Sequence, residues 1–402
     1  MDESVQVTII RRAQDLEPLR AEWAALAAGA PMRSPEWLLT WWRHYADAAD
    51  ELWVLLFREP AGALVGLAPL FVEVRGRKRT LRLLGCGGVG TTHSSWLAAA
   101  GWQERVSLAA AACLRENRAS WQSLRLDCVD QDDPALGATL AALAADGFLL
   151  HRTPLHSCWK LALPEEWEQY LAMLSKAHRK RCRKLQHDYL DSGRVTLHRV
   201  TGVDDFQRGF QILVDLHAAR WGGPKEPLGC FSDPRFLAFH QAVARQLLER
   251  EQLNLSWLEC DGRPIAAEYQ FMDQTTVYSY QAGMDPEVTD LPAGNLSIMS
   301  SIHFAICQGR RFFDLSTGDQ PYKANWRATP SGCHDVQLWP ATLAGRLNRF
   351  LSALRDCFER ARMAMVVRLK AVIPLSLVEA WRQALQLLSG RRRTPRKVGS
   401  PR

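Results

Sequence analysis

An acid, a phenol, an ammonium and an indole fall within eight residues of one segment: Asp319, Tyr322, Lys323 and Trp326. They sit in the run Phe313-Asp314-Leu315-Ser316-Thr317-Gly318-Asp319-Gln320-Pro321-Tyr322-Lys323-Ala324-Asn325-Trp326. A strand-like start (Phe312, Phe313, Leu315) enters a turn in which Gly318 and Pro321 fix the backbone, so the polar side chains can be aimed. Around a reacting carbonyl such groups could supply a base, a donor and a positive charge. The competing reading pairs Asp319 with Lys323 across the turn, with Asp314 capping its start.

Further polar groups lie on the strands before this turn. Alternation over Ile265–Met272 puts Ile265, Ala267, Tyr269 and Phe271 on one face, and Glu268 and Gln270 on the other. Glu268 is then either a surface carboxylate or a base in a cleft. Tyr278 and Tyr280 alternate on the next strand, where they either pack a core or stack on an acceptor.

Other motifs carry less. Gly85-Cys86-Gly87-Gly88-Val89-Gly90 has the letters G-x-G-x-x-G after a strand, but Thr91, Thr92, His93, Ser94 and Ser95 follow as a loop. A dinucleotide site needs a helix opening there and an acid about 20 residues on, so this run reads as a loop facing an inter-domain cleft. The ten cysteines show no C-x-x-C pair, and His151, His156 and Cys158 fit no zinc spacing. No metal is expected. A G-x-S-x-G elbow is absent, which leaves a covalent serine hydrolase little support. Lys176 to Lys184 holds six bases in nine residues, including Arg179, Lys180, Arg183 and Lys184. Either these form a solvated face paired with acids elsewhere, or they cradle phosphates.

The elements that must position these groups follow from periodicity and turn signals. Val5–Ile10 alternates as a strand, Ala13–Leu26 and a Ser34-capped segment with Pro35 at its first position read as helices, and strands follow at 52–57, 64–72 and 81–84. Helices at 103–117 and 134–145 are each followed by a strand. The same order recurs after residue 194, with hairpins at Asp261-Gly262-Arg263 and Asp273-Gln274. This predicts a mixed α/β chain of two related domains: residues 1–158, a basic helical connector 159–193, residues 194–340, helices over 341–390 split at Ile373-Pro374, and a basic tail 391–402. The stripe Leu347, Phe350, Leu351, Leu354 and Phe358 reads as core or dimer packing. At 402 residues two domains are also what size favours.

Composition is that of an ordinary soluble protein, 47% hydrophobic and 23% charged. The net charge is +7, but six bases lie in the tail after Gly390, which leaves about +1 for the rest. Such a tail suits a solubilising end or anionic partners. Scattered cysteines, no signal-like start and no long apolar run predict reduced thiols in the cytoplasm, with any envelope role performed from the inner face of the membrane.

Over roughly residues 160–330, the turn at 313–326 with the helix and strand pair before it resembles the signature of CelD/BcsL-type acyltransferases. These are members of the GNAT (Gcn5-related N-acetyltransferase) superfamily associated with cellulose and exopolysaccharide loci. The paired order also resembles Fem-type peptidoglycan aminoacyltransferases. The resemblance implies tandem GNAT-like acyl-CoA N-acyltransferase domains with C-terminal helices, and transfer of an acyl group from a CoA thioester to an amine or hydroxyl of a cell-envelope saccharide. It further implies a splayed strand at Gln281–Met284 (with Gly283) and a helix entrance at Pro292-Ala293-Gly294-Asn295 for the donor. Lys323 matches a lysine that contacts the donor or oxyanion. His217, Arg220, Trp221, Tyr278, Tyr280 and Trp326 are expected at the acceptor, and the basic helix at phosphates. The usual Q/R-x-x-G-x-G/A loop of acetyl-CoA binders is missing, so the donor stays open. Alternatives are a Fem-like aminoacyl-tRNA-dependent transferase and a non-catalytic accessory protein of polysaccharide synthesis.

Overall fold

In a computed structural model, which describes residues 5–224 and 226–372, the chain builds two mixed sheets flanked by helices. The strands in chain order are β1 (Gln6–Ile10), β2 (Glu51–Arg58), β3 (Leu64–Arg75), β4 (Lys78–Leu83), β5 (Leu97–Ala98), β6 (Ser123–Asp130), β7 (Leu149–Pro154), β8 (Cys158–Ala162), β9 (Val195–Arg199), β10 (Leu253–Cys260), β11 (Arg263–Met272), β12 (Thr276–Met284), β13 (Phe312–Thr317), β14 (Thr329–Ser331) and β15 (Cys333–Trp339). The first sheet runs β1-β2-β3-β4-β6-β15-β7, with β5 paired to β3. The second runs β9-β10-β11-β12-β13-β8-β14.

These orders are the same, sense for sense. In each sheet four antiparallel strands are followed by one parallel pairing (β4 with β6, β12 with β13) and then two antiparallel pairings. The sixth position of each sheet is filled from the other half. After β7 the chain crosses at residues 155–157 and sets β8 into the second sheet, and after β14 it crosses at Gly332 and sets β15 into the first. The expected boundaries are corrected accordingly. The 159–193 connector opens with residues of a second-sheet strand, and the 194–340 segment surrenders its last strand to the first sheet.

The parallel pairs are short. β12 and β13 are in register only at Thr276–Phe312, Val277–Phe313 and Tyr278–Asp314, and then part. β12 carries an extra residue opposite β11 at Tyr280, a bulge that bends the strand away. β4 and β6 part likewise after Arg82–Arg125.

One apolar core runs through both halves. The Pro35–Tyr45 helix, capped by the Ser34 hydroxyl, lies against the Pro234–Glu249 helix. Trp37 packs edge-on against Phe239, Phe271 and Tyr280. Polar ties cross the same seam: buried Glu36 pairs with Arg20 at 3.1 Å and Arg250 at 2.8 Å, and Gln246 donates to Thr40 at 3.0 Å. The glycine-rich loop is pinned here rather than open, because the Trp37 indole donates to Thr91 and the Trp41 indole to the Cys86 carbonyl. Gly85, at φ +83°, faces Leu38 and Thr91 so closely that a Cβ would not fit.

The described residues up to Thr342 form one compact unit, and the Leu343–Val372 helix belongs to another. On that helix Leu347, Phe350, Leu351, Leu354 and Phe358 are exposed rather than core. The expected second C-terminal helix and the basic tail at 391–402 lie outside the described residues. Among the described residues no helix is long and apolar enough to cross a membrane.

Candidate functional site

The parting of β12 from β13 opens a V in the second sheet, and the Ala293–Cys307 helix starts beside it. Glu268, on β11, is buried rather than a surface carboxylate, and it faces this helix. Its carboxylate accepts from the Ser297 hydroxyl at 2.7 Å and from the Gln270 amide at 3.3 Å. Burial pushes its pKa up to about 7, and those two hydrogen bonds with the charge of Arg220 offset only part of that effect. A carboxylate that changes charge near neutrality has the properties of a general base.

At the start of the Ala293–Cys307 helix lies a cleft of about 360 Å³, lined by Ser175, His178, Arg181, Asn295, Tyr322 and Arg327 among others. It joins three elements: the Lys176–Leu185 helix, the entrance of the Ala293–Cys307 helix, and the short Tyr322–Asn325 helix. The Arg181 guanidinium and the start of the Ala293–Cys307 helix, facing one cavity, suit a phosphate. Of the expected anion-binding residues, Lys180, Arg183 and Lys184 are exposed and Arg179 is half-buried, and none of these four lines the cleft. Arg183 pairs with Glu168 at 2.6 Å. Arg181, one step along the helix, takes the position expected of them. Of the expected cofactor residues, Asn295 lines the cleft and Gly294 is exposed at the helix start.

The turn at 313–326 divides into working and structural parts. Lys323 is 2% exposed, and its ammonium donates to the carbonyls of Ser316 at 3.1 Å and Thr317 at 2.7 Å. Burial lowers its pKa, against the charge of Asp314. It therefore holds the end of β13 instead of presenting a free ammonium to a ligand. Asp319 does not pair with Lys323. Its carboxylate accepts from Ser157 N–H at 3.2 Å and from the Trp159 indole at 3.3 Å, and meets His156 at 3.1 Å, which ties the turn to the β7–β8 crossing. Trp326 is buried against His178, and its carbonyl accepts from Tyr170. Tyr322 is 46% exposed and lines the cleft. Burial and then the nearby charge of Glu268 raise its pKa, so it stays protonated.

The remaining expected residues scatter. His217 is buried, with its ring against the Leu228 carbonyl, Cys230 and Gln281, and burial lowers its pKa. Arg220 and Trp221 are exposed and stack on each other, with the guanidinium 4.7 Å from the ring. Gly283 faces the backbone of Leu216 and His217, where a Cβ would come within 2.5 Å of an amide nitrogen, so its small size serves helix packing. Met284 is half-buried beside Gly294. Tyr278 donates to Asp273 at 2.7 Å. Tyr280 donates to the Val89 carbonyl and joins the aromatic core with His240 at 3.0 Å. Tyr278 also lies against the His93 ring, so both tyrosines reach residues of the first half.

Sequence reasoning missed Arg181, Ser297, His178 and Arg327. Arg181 was within the basic run, and its phase on the helix was the signal available. It also missed a group at the crossing of the two halves. There His93 bridges Asp130 at 2.8 Å and Asp314 at 3.0 Å, one carboxylate from each sheet.

No curated protein matches the sequence. Among solved structures, FemX is similar over 79% of this chain and 95% of its own, at 11% identity and a TM-score of 0.57. A conserved protein of unknown function from Bacteroides thetaiotaomicron VPI-5482 is similar over 83% of this chain and 100% of its own, at 10% identity and a TM-score of 0.51. These likenesses are of fold. Residues 176–324 match the family described as acetyltransferase (GNAT) domain, and this part of the chain has a GNAT-type acyltransferase fold.

Proposed function

We propose that the protein transfers an acyl group, acetyl in the simplest case, from a CoA thioester to an amine or hydroxyl of a cell-envelope or exopolysaccharide acceptor. The thioester lies in the V between β12 and β13, where β12 N–H groups released from pairing face the carbonyl oxygen as negative charge develops. The donor's phosphates occupy the cleft at Asn295 and Arg181. Glu268 takes the proton as the acceptor nitrogen or oxygen bonds to the carbonyl carbon and the C–S bond breaks. The Tyr322 hydroxyl donates to the departing thiolate. Lys323 is a positioning residue that fixes one wall of the V. The saccharide acceptor rests on the resemblance to CelD/BcsL-type sequences, and the basic tail suits anionic headgroups at the inner membrane face.

One observation carries this reading: a carboxylate buried on the strand next to the parting β12–β13 pair and held by Ser297, on the same helix whose Asn295 lines a cleft with Arg181. Calorimetric titration of the full chain with acetyl-CoA tests it. Binding is expected, weakened about tenfold by Arg181→Ala, which is about 1.4 kcal/mol. Binding indifferent to Arg181→Ala refutes the phosphate assignment.

A second donor, aminoacyl-tRNA, is favoured by the exposed bases Lys180, Arg181 and Lys184 on one helix. It predicts no response to acyl-CoA and a steep loss of tRNA affinity with salt. Silence toward both donors would leave an accessory, non-catalytic role.

A further inference from the structure

The chain crosses between its sheets twice, at residues 155–157 and at Gly332, and a cysteine ends each crossing: Cys158 begins β8 and Cys333 begins β15. Cys128, on β6 next to β15, meets them. The three sulfurs lie within 4.8 Å of one another, and those of Cys128 and Cys333 are 3.8 Å apart. The Asp130 carboxylate, opposite Cys333 in register, and the His93 ring lie within 4.8 Å of each other and of the Cys158 sulfur. Cys158 and Cys333 are buried and Cys128 is half-buried. Cys128 and His93 both hold left-handed backbone, at φ +51° and +56°, which non-glycine residues rarely adopt.

From this cluster we infer a metal site that binds a thiophilic divalent cation, zinc by class, through the thiolates of Cys128, Cys158 and Cys333, with the fourth position filled from the Asp130–His93 pair. Tetrahedral zinc holds thiolates at about 2.3 Å, which separates its sulfurs by roughly 3.8 Å. The Cys128–Cys333 spacing already equals that value. Sulfur, imidazole and carboxylate donors in one shell select zinc over calcium or magnesium, which take oxygen. A second layer is in place as well: His93 is hydrogen-bonded on its other side to Asp314, and Cys128 N–H donates to Asp335 at 3.1 Å. The Cys333 thiol donates to the His156 carbonyl at 2.9 Å, a proton that loading would displace into solvent with those of the other thiols.

Spacing along the chain hides this site. Its cysteines are 30 and 175 residues apart and come from three strands, so no C-x-x-C pattern marks them. The strand exchange assembles them, and a bound cation would join both crossing segments to the first sheet.

The test uses the full chain, purified under reducing conditions without added metal. Elemental analysis should find about one zinc per chain. Replacement by Co2+ should give the intense charge-transfer absorption of thiolate ligands. Cys158→Ser and Cys333→Ser should each lose both signals, and Cys307→Ser, an exposed cysteine elsewhere, should lose neither. Should the buried variants fail to fold, Cys128→Ser at the half-buried position gives the same readout, and Co2+ titration of the unaltered chain needs no variant. Absence of zinc together with no thiolate band on Co2+ addition overturns the assignment. So does a Cys128–Cys333 disulfide found by mass spectrometry in the purified chain.

Discussion

The two halves repeat one strand order and part their middle strands at the same place, yet they fill the gap differently. In the first half Arg82 stands at the parting point, half-buried and gripped by Glu73 at 3.0 Å and Asp127 at 2.6 Å. Burial pushes the Asp127 carboxyl up, but Arg82 and Arg125 outweigh it and hold its pKa below the usual range. In the second half Glu268 meets a hydroxyl and an amide, and its pKa rises to about 7. A carboxyl group is thus held charged by arginines in one half and, in the other, buried against neutral partners that leave its pKa raised. The difference is whether an arginine touches it.

Glu268→Gln should cut turnover by about 10²–10⁴ with the circular dichroism spectrum unchanged. Turnover in the unaltered chain should rise with pH and level off above about 7, since the base must be ionised. An equal loss of turnover in Asp127→Asn would erase the contrast between the halves.

Trp37→Ala removes the indole that seats the first half on Phe239, Phe271 and Tyr280 and should cost about 3–5 kcal/mol in urea unfolding. A loss below about 1 kcal/mol would mean the shared core does not hold the halves together.

The stability contribution of Glu268 runs opposite to that of most carboxylates. Its folded pKa of about 7 exceeds its ordinary 4.5, so the native state binds the proton more tightly. That contribution is complete below about 4.5 and is lost as pH rises through about 7, a change of about 3 kcal/mol. Glu268→Gln should flatten this part of the stability–pH curve, and an unchanged curve would show that the carboxyl is solvated.

The smallest effect is expected from Asp127→Asn, about 1–3 kcal/mol of stability with turnover within about twofold, because Glu73 still partners Arg82.

Much of this architecture was legible from local pattern. Alternation marked the hairpins of the second sheet, and Ser34-Pro35 marked a helix start that the structure places one residue after Ser34. The strand exchange was not legible, because Cys158–Ala162 and Cys333–Trp339 find their partners across 150 residues or more and no local signal sets that choice. Side-chain direction was the other gap. Lys323 stood in a plausible motif, but whether its ammonium faces a ligand or the carbonyls of Ser316 and Thr317 depends on a backbone that turns left-handed at Ser316, φ +58°. Glu268 showed the reverse, since alternation placed it on the correct face while the hydroxyl that meets it came from a helix some thirty residues on.

Because each half lends a strand to the other, a nascent first sheet that begins at Gln6 waits for residues 333–339 before its gap between β6 and β7 can close. At ribosomal speeds of roughly 5–20 residues per second, that wait lasts on the order of tens of seconds after β1 emerges. Throughout it two strand edges stand unpaired, an invitation to chaperones or to a neighbouring chain. Cutting the chain after Ala162 would produce two fragments, each lacking the strand that completes it.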